Sequence, residues 1–239
     1  MSPSGVLEEY AHDAERLFES FEEVSSAEVY ADVAHLLPAL PSRIADIGAG
    51  TGRDAAWFAA QGHNVLAVEP TKFFRAAGMA LHSSPQIEWV GDALPDLERT
   101  LARGEVFDRV ILCAVWQHLC DEERARAMPN LARLIAPDGL LIMSLRHGPD
   151  EPGCYPSRRE DVVALAAASG LELVFAGEAE SVHPASRALG VTRTWLAFDV
   201  AQPARGRISR GRREINAFGW GARKGRVRHR WSRPFASIS

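Results

Sequence analysis

The sequence predicts an α/β fold, a doubly wound sheet with an N-terminal helical cap, on three observations. Seven short runs of β-branched and apolar residues alternate with helical patterns across residues 42–200. Several runs are apolar on both faces, as strands covered by helices on either side must be. A glycine-rich stretch closes the first run and opens the first helix, the place where open α/β sheets take their ligands.

The elements follow in chain order. Leu7, Tyr10, Ala14, Leu17, Phe18 and Phe21 recur at helical spacing, and Val29, Val33, Leu36 and Leu37 do so again before Pro38. Residues 1–41 are therefore expected to form an amphipathic cap folded over the ligand, with Tyr10 and Phe18 as candidate walls. The strand runs are 43–47, 64–69, 87–90, 107–114, 140–145, 171–176 and 192–200. Between them, a helix from Asp54 to Ala60 stops at Gly62, and Asp121, Glu122 and Glu123 mark a helix start by placing acids at the positive end of the dipole. Pro129 should kink that helix or start a second segment. Ser157 and Glu160 have capping-box spacing ahead of Val162, Val163 and Leu165. Residues 42–200 thus read as one ligand-binding domain, and residues 201–239 as a basic, flexible tail without periodicity.

Composition limits the function classes. The 239 residues are 46% hydrophobic and 24% charged, enough for a substantial core and unlike disordered, collagenous or coiled-coil chains. Cys113, Cys120 and Cys154 are too few and too scattered for a disulfide framework or a CxxC zinc site, so a reducing, cytoplasmic setting is expected. The first residues carry acids where a signal peptide needs bases. The most apolar run, 110–116, is far shorter than the ~20 residues of a membrane helix, so no membrane partner is expected. The net charge of −4 hides an asymmetry. Residues 203–239 hold eleven Arg and Lys against Glu214 alone, which leaves the rest of the chain strongly acidic. Such a tail speaks about partners rather than fold.

The informative segment runs from Ile44 to Arg53, with Gly48, Gly50 and Gly52 in five residues. Glycines let a backbone turn sharply and approach a ligand where a Cβ would intrude. The next strand ends in Glu69, placed to accept hydrogen bonds from the vicinal hydroxyls of a ribose. A dinucleotide fingerprint would need glycine at position 53, where this chain has arginine. An acid at position 46 is a poor neighbour for a pyrophosphate and suits a ligand carrying an ammonium. The loop favours a cationic amino-acid nucleoside over a dinucleotide.

On these residues the chain resembles the class I S-adenosylmethionine-dependent methyltransferases. Asp46-Ile47-Gly48-Ala49-Gly50-Thr51-Gly52 matches the family's first motif residue by residue, and Glu69 its ribose-binding acid. Gly91-Asp92-Ala93 resembles the element that meets the adenine. The segment from Leu134 to Gly139 departs slightly from the family's L-x-P-G-G turn, with Asp138 at the first glycine, a residue that tolerates turns. The resemblance spans residues 42–200. It implies a Rossmann-like, seven-stranded sheet with the last strand antiparallel, S-adenosylmethionine as cofactor, and Asp46, Gly48, Ala49, Gly50, Gly52, Glu69, Asp92, Ala93 and Val115 as its contacts.

Methyl transfer is an in-line displacement, so orientation supplies much of the acceleration, and a base is needed only for a protonated acceptor. The segment 114–119 resembles the place where small-molecule methyltransferases direct a histidine or aromatic toward the acceptor. His118 is the candidate acid or base there and Trp116 a candidate acceptor contact. After the fifth strand, Arg146, His147 and Tyr155 lie on a loop of the kind that carries substrate contacts, Arg146 through its fork of donors. The Asn/Asp-Pro-Pro-Tyr signature of enzymes that methylate base amines is missing, which favours a small-molecule acceptor. Two alternatives stay open: an RNA methyltransferase recruiting its substrate through the Arg-rich tail, and a non-catalytic protein that binds the nucleoside. The histidines share no metal-ligand spacing, and no metal is expected.

Overall fold

The computed structural model describes residues 14–201, with side chains from Phe18 onward. Leu7, Tyr10 and the basic tail lie outside the described residues.

The seven expected strands form one sheet: β1 (Arg43–Ile47), β2 (Asn64–Val68), β3 (Ile87–Val90), β4 (Phe107–Leu112), β5 (Ile135–His147), β6 (Leu171–Glu180) and β7 (Thr192–Val200). Their spatial order is β3-β2-β1-β4-β5-β7-β6, and only β7 runs antiparallel to its neighbours. The sheet reverses direction of growth between β1 and β4. That switch point opens a crevice at the strands' C-terminal ends.

Alternation along each strand splits the core between the two faces. Ala45, Ile47, Val110 and Leu112 face one side, where Trp116, Met128, Leu131 and Val162 cover them. Ile44, Val65, Ile111 and Trp195 face the other, against Phe58, Val29, Tyr30 and Val33. The covering helices on the first side are α5 (Glu98–Ala102), α6 (Asp121–Ala132) and α7 (Arg159–Ala168). On the second side lies α3 (Arg53–Ala60), joined by α2 (Ser26–Val29) and a 3-10 turn (Ala31–Leu36).

The expected cap is therefore two things. Among its described residues, only the end of α1 (Ala14–Glu22) reaches the crevice. Residues 24–36 belong to the core, because Tyr30 stacks on Trp57 and packs against Phe58 and Trp195. Asp54 anchors them by accepting the hydroxyls of Ser26 and Tyr30 at 2.7 and 2.8 Å.

Three local expectations change. Helix α6 runs on through Pro129 to Ala132, so no second segment starts there; proline deletes a single hydrogen bond near the helix end while Met128 and Leu131 stay buried. Ser157 does not cap α7: Arg158 occupies the N-cap, one residue later, without a side-chain bond. Strand β5 starts at Ile135, five residues early, by absorbing the Asp138 turn as an irregularity in its register with β4. Asp138 takes φ +64° there, and a Cβ on Gly139 would lie 2.8 Å from the Phe107 carbonyl, which accounts for glycine at that position. Among the described residues no helix is long and apolar enough to cross a membrane.

Candidate active site

The crevice is a half-open cleft of about 870 Å³, counting the solvent space at its mouth. Its floor is Gly48 and Gly50. Glu69, Asp92 and Ala93 stand along one end, Val115, His118 and Leu119 along the other, and Phe21 of α1 lines it from the N-terminal segment.

Each loop glycine has its own reason. Gly48 sits at φ +78°, and a Cβ there would come within 2.5 Å of Val115 Cγ2. Gly50, at φ +56°, would direct a Cβ into the crevice, where its nearest neighbour is the Phe21 ring at 3.7 Å. Gly52 does not line the crevice; its missing Cβ makes room for the Trp89 ring, 2.6 Å from where that atom would be. Ala49 is likewise outside the lining and packs with the second core face. Both are placed to shape the loop rather than to touch a ligand.

The loop amides are largely taken up inside the protein. Gly48 and Ala49 donate to the Val68 carbonyl at 2.8 and 3.0 Å, Gly52 to Ala49, and Gly50 to the Glu69 carboxylate at 2.9 Å. A pyrophosphate site needs such amides aimed at the ligand. Here one of them holds Glu69 instead, and the rest are spent on backbone carbonyls. Arg53, at the position of the missing glycine, donates to the Phe21 carbonyl at 2.7 Å and pairs with Asp54.

Glu69 is 5% exposed. One oxygen accepts the Gly50 N–H and the other the Thr71 N–H at 2.8 Å, leaving further lone pairs on both. Arg75 fixes the backbone beneath it by donating to the Glu69 and Pro70 carbonyls, both at 2.7 Å. Burial pushes the Glu69 carboxyl above the usual carboxylate range, against the two amides and Arg75. Asp46 lies behind the loop rather than on the crevice wall. Its Oδ2 is buried without a hydrogen-bond partner, and burial, then the Asp54 charge, hold its carboxyl well above the ordinary value despite Arg53. Asp92 accepts the Thr100 N–H and hydroxyl on Oδ2, both at 2.8 Å, which fastens the start of α5, and the Ala93 N–H on Oδ1 at 3.0 Å, with its side chain at the crevice.

These features fit a cationic adenosine ligand. The crevice has a Cβ-free floor, and beside it lie buried carboxylates whose raised affinity for protons marks uncompensated negative charge.

On the acceptor side the expectations divide. His118 lines the crevice, with Nδ1 3.0 Å from the Gly153 carbonyl; burial lowers the ring's pKa, so it is neutral near pH 7. Trp116 is not placed to meet an acceptor: it is fully buried in the first core face. Arg146 is turned into its own loop, paired with Glu151 at 2.9 Å and donating to Pro149. His147 meets Thr194 at 2.8 Å across the β5–β7 pairing. Tyr155 lies outside the lining, its N–H donating to the Gln117 carbonyl at 2.6 Å. Sequence reasoning missed Phe21, Thr71, Phe74, Leu94 and Leu119 in the wall. The apolar ones carry no signal, since a wall and a core position have the same pattern. Phe18 stays out of the wall, and Phe21, one turn later, takes the expected place and packs on Phe74 at 5.8 Å. Glu22 latches the same helix end, accepting the Thr51 hydroxyl and standing 3.2 Å from His82 Nε2.

Residues 45–143 match a family model described as a methyltransferase domain. Over that stretch the chain is similar to methyltransferases. Proteins of Mycobacterium tuberculosis and Mycobacterium bovis described as uncharacterized methyltransferases are 31% identical to it over 107 residues, 44% of this chain and 40% of theirs. The match thus spans well under half the length of those relatives. A TehB-like S-adenosylmethionine-dependent methyltransferase from Corynebacterium glutamicum shares the fold with a TM-score of 0.58, at 22% identity over 82% of this chain and 99% of that one. The magnesium protoporphyrin IX methyltransferase of Synechocystis, solved with S-adenosylmethionine bound, does so at 0.62, with 17% identity over 83% and 97%.

Proposed function

We propose that this chain is an enzyme transferring a methyl group from S-adenosylmethionine to a small-molecule acceptor. The observation that carries the reading is Glu69. It is a buried carboxylate, held by one amide on each oxygen, at the edge of a crevice whose floor has no side chains.

When bound, the cofactor supplies an electrophilic methyl carbon on a sulfonium. The chain's own residues divide the remaining work. Glu69 would receive the ribose hydroxyls on lone pairs its two amides leave open. Asp46 would balance the amino-acid ammonium from behind the loop, and Asp92 with Ala93 would meet the adenine. Gly48 and Gly50 let the ligand lie against the backbone. Phe21, Val115 and Leu119 exclude water, which strengthens each polar contact inside. A neutral His118 can take a proton from an acceptor that arrives protonated.

The size of the acceptor is supported by the apolar wall from α1 over the crevice and by the missing Asn/Asp-Pro-Pro-Tyr signature. A fold neighbour named for methylating magnesium protoporphyrin IX adds to the same side. The test is to incubate the full-length protein with methyl-labelled S-adenosylmethionine and either a small-molecule cell extract or total RNA. Label should enter the small-molecule fraction with release of S-adenosylhomocysteine. Label confined to RNA, and lost when residues 203–239 are removed, would transfer the assignment to an RNA enzyme. Binding without turnover in either fraction would leave a nucleoside-binding protein.

A further inference from the structure

We propose that Arg124 is the positioning residue of the acceptor side: its buried guanidinium ties the turn that bears His118 to the loop 148–156 and so sets where His118 stands in the crevice. The geometry is independent of the reaction, but its meaning for acceptor binding rests on the methyltransferase reading above.

In sequence Arg124 looks like an ordinary helix-surface arginine, three residues after Asp121. In the fold it is 3% exposed. Nη1 donates to the Pro156 carbonyl at 2.8 Å and to Asp121 Oδ1 at 3.0 Å; Nη2 donates to the Tyr155 carbonyl at 2.8 Å and, at 3.4 Å, to that of Trp116. The guanidinium lies 6.0 Å from the centre of the Trp116 ring. Two further links join the same two segments: the Tyr155 N–H donates to Gln117, and His118 Nδ1 meets Gly153. The turn Trp116–His118 and the loop are thus stitched at residues 116, 117 and 118, with Arg124 under the seam.

The chemistry explains why the residue is arginine. Burying a cation costs several kcal/mol unless its donors are filled. Asp121 alone does little to offset this, because its side chain is 95% exposed and its charge is screened. The compensation comes from backbone carbonyls on two separate segments, which the two Nη groups of a planar fork reach together and a point charge cannot, while Nε is left without a partner. If loop 148–156 left its place, the guanidinium would lose two of its short bonds. Loop and turn are thereby coupled.

A merely structural arginine would stabilise the fold and leave His118 alone, so the test reads His118 directly. The full-length, ligand-free protein is compared with Arg124→Gln, Arg124→Lys and Asp121→Asn by NMR titration of the His118 ring and by hydrogen exchange. In Arg124→Gln, amides of 148–156 should exchange about tenfold to a hundredfold faster, the size expected for losing charge-assisted bonds, while β1 to β4 stay protected. The His118 titration should shift, because burial holds it down while the Gly153 carbonyl and Glu151 hold it up and Arg146 opposes them, and the last three move with the loop. Arg124→Lys should fall between, and Asp121→Asn should match the parent. A His118 titration unmoved in both Arg124 variants overturns the proposal, whatever the exchange; if Arg124→Gln does not fold, Arg124→Lys decides alone. Failure of the methyltransferase reading would show separately, as no binding of S-adenosylhomocysteine by the parent protein.

Discussion

At the β1–β3 end of the crevice, Glu69 and Asp92 leave their strand tips directly into the cavity, and the backbone around them holds each carboxyl in place. At the β4–β5 end, Arg146, His147 and Tyr155 occupy the equivalent strand tip and loop, yet are engaged with Glu151, Thr194 and Gln117. Among the residues expected to meet an acceptor or act on it, only His118 reaches the cavity wall. The difference lies in what fixes each residue. Near β1 and β2, short connections and positive-φ glycines determine direction within a residue or two. In the longer loop after β5, side chains satisfy one another first, and their direction depends on partners far away in sequence.

The largest effect that sharpens this contrast is at Trp116. As a core residue, Trp116→Ala should lose about 3–5 kcal/mol of stability in chemical denaturation. A loss well under that, with intact cofactor binding, would return Trp116 to the crevice.

A smaller effect concerns charge behind the loop. The carboxyls of Asp46 and Glu69 both keep their protons to higher pH in the folded chain than when unfolded, chiefly through burial. A raised folded value favours the fold fully below the ordinary carboxylate range, and that favour is lost as pH rises through the raised value. The ligand-free protein should therefore lose part of its thermal stability on going from acid to neutral pH. Asp46→Asn should flatten that slope, because the neutral amide has no proton to lose. S-adenosylhomocysteine, through its ammonium, should raise the neutral-pH melting temperature of the parent more than that of the variant. A steeper slope in Asp46→Asn would contradict the assignment.

These two ends also differ in how much the sequence discloses. The seven strands, their alternation and the place of the glycine loop follow from periodicity, because burial on a sheet obliges the pattern. The direction of Glu69 was legible for the same reason. The separate duties of Gly48, Gly50 and Gly52 were not: they look alike in sequence, yet one clears Val115, one opens to the crevice and one clears Trp89. Phe21 against Phe18 is a matter of one helical turn. Arg124 was invisible because a buried arginine and a surface arginine have the same local spacing to Asp121.

The central claim is that Glu69, not the β5 loop, grips the cofactor. Isothermal calorimetry of S-adenosylhomocysteine with Glu69→Gln and Arg146→Ala tests it most directly. Glu69→Gln keeps the volume but turns an amide donor toward the Gly50 or Thr71 N–H, and affinity should fall about tenfold to a hundredfold. Arg146→Ala removes an ion pair whose acidic partner is exposed, worth ~0–1 kcal/mol of stability, and should leave the affinity unchanged. Equal weakening by the two variants, or none from Glu69→Gln, would contradict the account.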